Sequence, residues 1–295
     1  MTGTMRLLKT DWFGLSIALV IGIVALSMTQ PSFSSTFNVY VMLTAFSLSV
    51  LVALSQMVIL AIGQLNLSVG AIGGLAAITF AGVMEVWGLP VPVAIVIGIA
   101  VGILCGLLNG TITHLSGLNA FVVTLATLSI FKGINIGITE AQPFYQIPES
   151  VKAFGNARFG FFPFLLFVSG AFLIAVLVFM RRGVLGRQLL AVGGNRHAAE
   201  LSGINIGKVV IAAHVISGVL AAVAGMLAVA RLQLGQPTIG DDWLIISFAA
   251  PVIAPANIAG PVPSSNTTRC PPRPPSPCPI GDHSAPSQRA TLRAE

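Results

Sequence analysis

The stretch Trp12–Met84 reads WFGLSIALVIGIVALSMTQPSFSSTFNVYVMLTAFSLSVLVALSQMVILAIGQLNLSVGAIGGLAAITFAGVM and contains no Asp, Glu, Lys or Arg. A second charge-free run follows, from Val86 to Phe131. Only a bilayer interior tolerates such runs, because water cannot solvate so long an apolar surface cheaply. Working outward, the whole chain of 295 residues is 55% hydrophobic and 8% charged, against roughly 25% charged in a soluble domain. Mean hydropathy is +0.91. These values exclude a soluble enzyme, a nucleic-acid-binding domain and a secreted scaffold. The fold class they imply is all-α, a polytopic transmembrane helical bundle.

Apolar runs predict spans at about 12–30, 39–62, 70–87, 90–113, 118–138, 161–180 and 209–230, with a weaker eighth near 243–258. Arg6 and Lys9 precede the first span. Arg181, Arg182, Arg187, Arg196 and Lys208 cluster between the sixth and seventh. Six spans separate these basic regions, so both fit the cytoplasm and the N-terminus is expected inside. The excess of 15 Lys and Arg over 9 Asp and Glu follows from the same bias and does not call for nucleic acid. Arg231, Asp241 and Asp242 then fall in an external loop. Lys132, Glu85 and His114 read as span-end residues, with Lys132 open to a second reading at the external mouth of a pathway. Trp12, Trp87 and Trp243 read as interfacial anchors, and Cys105 as a small packing residue.

Gly98, Gly102, Gly106 and Gly110 recur every four residues, on one face of the fourth span. Gly70 and Gly74 repeat the pattern in the third, and Gly218, Ala222 and Gly225 in the seventh. Such small faces let helix backbones approach closely, so these glycines are expected to pack helices. Near Gly260 the composition changes. Nine of the 18 prolines lie within Pro261–Pro286. Composition therefore divides the chain into a membrane domain, 1–260, and a Pro-rich tail, 261–295, which is expected to be disordered.

Motifs for chemistry are missing: no metal-ligand spacing, no nucleophile elbow, and no phosphate loop, since Gly207-Lys208 is followed by Val209 rather than Ser or Thr. The chain is read as a non-enzyme without metal or cofactor of its own. Two segments stand out. In Gly63-Gln64-Leu65-Asn66-Leu67-Ser68-Val69-Gly70, polar residues interrupt two apolar runs. An interrupted helix is tolerated only against protein or a water-lined cavity, so Gln64, Asn66 and Ser68 are candidate hydrogen-bonding groups on a path for a polar, uncharged solute. The alternative is a short cytoplasmic turn in which Asn66 or Ser68 caps the next helix. The second segment, Gly186–Ile204, predicts a short helix N-capped by Asn195 and stopped at Gly203. It requires something to dock against, either lipid headgroups or a partner protein.

The chain resembles the permease subunits of ribose-type monosaccharide ABC importers over about residues 40–258. Leu65-Asn66-Leu67-Ser68-Val69-Gly70 matches their I-D-L-S-V-G motif, and Gly106 to Gly110 with Phe121–Thr127 matches their N-G and P-F-I-V-T-L-G-T signatures. Ala191-Val192-Gly193-Gly194-Asn195, Ala198-Ala199 and Leu201-Ser202-Gly203-Ile204 match the family's ATPase-contacting loop. Ser217-Gly218, Ala224-Gly225 and Gln236-Pro237 continue the likeness.

The resemblance implies a bacterial-type inner-membrane subunit working beside a second permease copy or paralogue. ATPase subunits that bind ATP and Mg would sit inside, and a sugar-binding protein outside. Gly193, Gly194, Asn195, Arg196, Glu200, Ser202 and Gly203 would form the coupling loop. Asn66 departs from the family's Asp. Further spans usual in the family after the Gln-Pro region are expected to be missing here, with a frameshift near Ala254–Gly260 as the explanation. Two other functions compete: a transport-incompetent fragment, and an ion-coupled secondary transporter, which would normally carry intramembrane carboxylates.

Overall fold

In the computed structural model the described residues are 11–247. The weak eighth span lies mostly outside them. Arg6, Lys9, Cys270, Cys278 and the tail 261–295 lie wholly outside. The order is α1 (Asp11–Thr29), a 3-10 turn (Pro31–Ser34), α2 (Thr36–Leu60), α3 (Val69–Glu85), α4 (Val91–Ser116), α5 (Ala120–Thr139), α6 (Glu149–Asn156), the two-residue strands β1 (Arg158–Phe159) and β2 (Phe162–Pro163), α7 (Phe164–Arg182), α8 (Val184–Gly194), α9 (Arg196–Leu201) and α10 (Ile206–Leu232). The protein is an all-α, multi-pass membrane bundle. Among the described residues five helices, α2, α4, α5, α7 and α10, are long and apolar enough to cross a bilayer. α3, at 17 residues, is about 26 Å long and falls short of the hydrocarbon thickness.

Helix ends follow local chemistry. Ser35 accepts the Asn38 N–H at the start of α2. Asn119 and Asn205 cap α5 and α10 in the same way. Pro92 sits in the first turn of α4, where a missing N–H costs nothing. α4 ends at Gly117, whose φ of +65° is the left-handed stop that glycine supplies.

α10 is the hub. Its apolar window is 72% buried against 22% for α7, and it packs on α2, α3 and α4 together. The α4–α10 contact is a glycine seam. A side chain at Gly102 would lie 2.6 Å from the Gly218 carbonyl oxygen, and one at Gly110 would lie 2.7 Å from Ile211 Cα. One at Gly106 would strike the His214 carbonyl, and one at Gly98 would reach 2.7 Å from Met226 Sδ. α3 joins the same centre: Gly225 rests against the Gly73 backbone. At Gly102, Gly106, Gly110 and Gly225 backbone meets backbone, so dispersion acts there at its closest range.

The connection after α10 departs from the expected external loop. Gln233 turns the chain in the left-handed region, with φ +61°, and the chain then runs back along α3. Gly235 lies against Ala81, Ile239 against Gly74 and Gly240 against Gly70. Trp243 is consequently buried, with its ring over Gly73, and is not an interfacial anchor. Gly70 and Gly240 touch backbone to backbone. A side chain on either would strike the other's carbonyl oxygen, and Gly240 also has φ +95°.

Candidate functional site: two broken segments and a basic helix pair

Between α2 and α3 the chain leaves helix at Ala61 and re-enters at Val69. Asn66 organises this break. Its Oδ1 accepts both the Ser68 N–H, at 3.0 Å, and the Ser68 hydroxyl, at 2.8 Å. Its Nδ2 donates to Ser217 Oγ on α10 at 3.3 Å. Ser68 therefore spends its hydroxyl on Asn66 and makes no side-chain cap to α3. Asn109 of α4 donates to Ser68 Oγ at 2.7 Å. The Leu67 N–H reaches Thr124 Oγ1 of α5 at 3.1 Å. Ser55 of α2 closes the ring, 2.9 Å from both the carbonyl and the hydroxyl of Ser217. Asn66 and Ser68 are fully enclosed. Gln64 is half-buried, its Oε1 lying 3.3 Å from His214 Nε2.

Thus α4, α5 and α10 are tied to one non-helical turn by neutral hydrogen bonds, and α2 joins them through Ser217; the Leu67 and Ser68 N–H groups that the break exposes are taken up by side chains. Sequence reasoning singled out Gln64, Asn66 and Ser68 but missed Ser55, Asn109, Thr124, His214 and Ser217. Each of these is a polar residue inside a predominantly apolar helix. That anomaly is visible in the sequence, but the pairing across up to 162 positions is not.

The second break, Gln233–Trp243, carries charge. Lys132 Nζ and Asp241 Oδ1 form an ion pair of 2.9 Å, each side chain 45% exposed. Lys132 stands at the thirteenth residue of α5 and not at its end, because the returning segment brings Asp241 down to it. Asn135, one turn on, donates to the Pro237 carbonyl at 3.0 Å. Glu85 accepts the Gln146 N–H at 2.8 Å, at the opposite end of α3 from the break.

The basic segment folds as a helix pair. Asn195 Oδ1 accepts the Ala198 N–H at 3.0 Å and caps α9. Gly203, at φ +80°, ends α9, its N–H bonding the Glu200 carbonyl at 2.9 Å. Arg196, Glu200 and Ser202 are exposed on this unit, and Gly194 is exposed with open space where a side chain would be. Gly193 is different. A side chain there would strike the Ala61 carbonyl and lie 3.3 Å from Ile62 Cα. α8 thus presses directly on the residues that open the first break. Among the described residues no group of His, Cys, Asp and Glu could hold a metal ion.

A family model described as branched-chain amino acid transport system / permease component matches residues 38–267. The ribose import permease protein of Bacillus subtilis (strain 168) is 32% identical over 83% of this chain and 76% of its own length. The L-arabinose transport system permease protein of Escherichia coli (strain K12) is 31% identical over 85% and 76%. The D-allose transport system permease protein of the same strain is 29% identical over 83% and 74%. No solved structure matches the chain. The match includes both breaks, the glycine seam and the α8–α9 pair, and reaches past Ile253, where the sequence motifs fade. The chain belongs to this family of transport permeases, with sugar permeases of the ribose type among its relatives.

Proposed function

We propose that this chain is the membrane-spanning permease subunit of an ATP-dependent sugar importer in a bacterial-type inner membrane, with its N-terminus in the cytoplasm. The relatives' sugars support the substrate class over the amino acids of the family's description. The observation that carries the coupling is the seat of Gly193 on Ala61. A nucleotide-binding partner that moves α8 and α9 would push on the entry to the first break with no flexible side chain between. Gly194, Asn195, Arg196, Glu200, Ser202 and Gly203 would present the docking surface. Gln64, Asn66 and Ser68 would act where the path closes: Gln64 is accessible to a solute, and the Asn66–Ser68 lock must re-form as helices move. ATP and Mg belong to the partner ATPase. A sugar-binding protein would deliver solute from outside, and a second permease copy or paralogue would complete the path.

The test is uptake of ribose, arabinose and allose into vesicles carrying the full complex, with ATP inside or outside, for the parent protein and Gly193→Leu. The reading expects ATP-dependent uptake in the parent, and joint loss of uptake and of stimulated ATPase activity in Gly193→Leu, with normal membrane insertion. Normal coupled uptake in that variant overturns the coupling role. Uptake that survives ATP depletion but collapses with the ion gradient overturns ATP dependence.

A further inference from the structure

The Lys132–Asp241 pair stands well inside the span of α5 and not at either end of it. Twelve helical residues separate it from Ala120 at one end of α5, about 18 Å at 1.5 Å per residue. Asp241 follows Gly240, which touches Gly70, and Gly70 lies fifteen helical residues from Glu85, about 22 Å. Seven residues, about 10 Å, separate Lys132 from Thr139 at the other end of α5, so the pair stands inside a hydrocarbon layer about 30 Å thick and away from both of its faces. Yet each side chain is 45% exposed. An ammonium at that depth can escape hydrocarbon only by stretching to the headgroups. Here the 2.9 Å contact holds it on Asp241. Asp242, exposed beside it, has no cation within ion-pair distance among the described residues. A dry protein interface would leave that carboxylate uncompensated. Water is the environment that suits both groups.

The surroundings agree. A cavity of about 180 Å³ lined by Arg231, Gln236 and Thr238 lies beside the same segment, with Gly240 and Asp242, the chain neighbours of Asp241, in its wall. Next to Lys132 on α5, Ser129 and Gly133 are exposed, and open space lies where a Gly133 side chain would stand. We infer that Lys132 and Asp241 line a water-filled part of the solute path within the membrane. There the ammonium donates to, and the carboxylate accepts from, sugar hydroxyl groups. This rests on the sugar-import reading, and it assigns the polar lining to the second break rather than to the enclosed Asn66–Ser68 lock.

Two measurements test it, on a background of Cys105→Ala, Cys270→Ala and Cys278→Ala in the full complex. The first is labelling by a charged, membrane-impermeant methanethiosulfonate. It compares Ser129→Cys, which keeps the pair intact, with Ile130→Cys, which is 56% exposed on a different side of α5. Because the reagent attacks the hydrated thiolate, Ser129→Cys should react about tenfold faster. Equal, slow labelling of both overturns the water-lined site. The second is uptake by the double variant Lys132→Met, Asp241→Asn, which removes both charges together. A rise of about tenfold in KM with stimulated ATPase activity retained is expected for lost hydroxyl contacts. An unchanged KM overturns the sugar contact. Labelling needs no transport, so a parent protein that carries none of the three sugars would sink the import reading while the water-lined site is still decided.

Discussion

Two non-helical segments meet where Gly240 touches Gly70, just past the end of the first break, and they solve the same problem in opposite ways. The break at 61–68 is neutral, and its polar groups are bonded to α4, α5 and α10. The break at 233–243 is charged, and its polar groups stay half open. A chain that leaves helix within a membrane must satisfy its backbone either against protein or against water. The first segment uses protein and becomes a fixed joint. The second uses water and becomes a surface.

The largest effect should come from the point they share. Gly240→Val introduces a side chain into the Gly70 backbone at a φ of +95°. It should cost about 3 kcal/mol or more and abolish a cooperative melt in detergent; a parent-like melting temperature would mean the segments are not in contact. Next, Asn66→Leu removes the acceptor for Ser68 and the donor to Ser217. About 2–3 kcal/mol of stability should be lost, read from the shift in thermal unfolding. Ser217→Ala takes away the hydroxyl shared with Ser55 and Asn66 and should cost about 1–2 kcal/mol. Smallest is Asp242→Asn on the open segment, within about 0.5 kcal/mol. A shift as large as that of Asn66→Leu would show Asp242 to be buried in the assembly, and would erase the contrast between the two breaks.

Much of this was legible in the sequence. The apolar runs located seven helices to within a few residues, because apolarity over a long stretch is a local demand of the bilayer on each helix separately. Asn195 and Gly203 announced the ends of α9 because capping is local chemistry. The period of four in Gly98–Gly110 marked a close-packed face, though not that α10 would fill it. What escaped was non-local. Gly235, Pro237 and Gly240 bound a polar stretch much as Gly63 and Gly70 bound the first. The run of Asp241 and Asp242 nevertheless reads as external, because an intramembrane carboxylate is costly without its partner. That partner, Lys132, lies 109 positions away in the chain. Trp243 misled for the same reason: indole rings favour interfaces, and only the return of the segment along α3 buries this one.

The burial of α3 bears on how the chain is made. This helix is short, small-residued and walled chiefly by α10, with Gly73 against Ala221 and Gly225. α10 begins at Ile206, more than a hundred residues after α3 ends at Glu85. At ribosomal speeds of about 5–20 residues per second, α3 must wait several seconds or longer for the surface it packs on. Through that interval its glycine face and the polar turn at Asn66 are unclosed inside the bilayer. Biogenesis of this protein therefore passes through a stage that insertion chaperones can shelter and membrane proteases can attack, and the stage ends when α10 arrives.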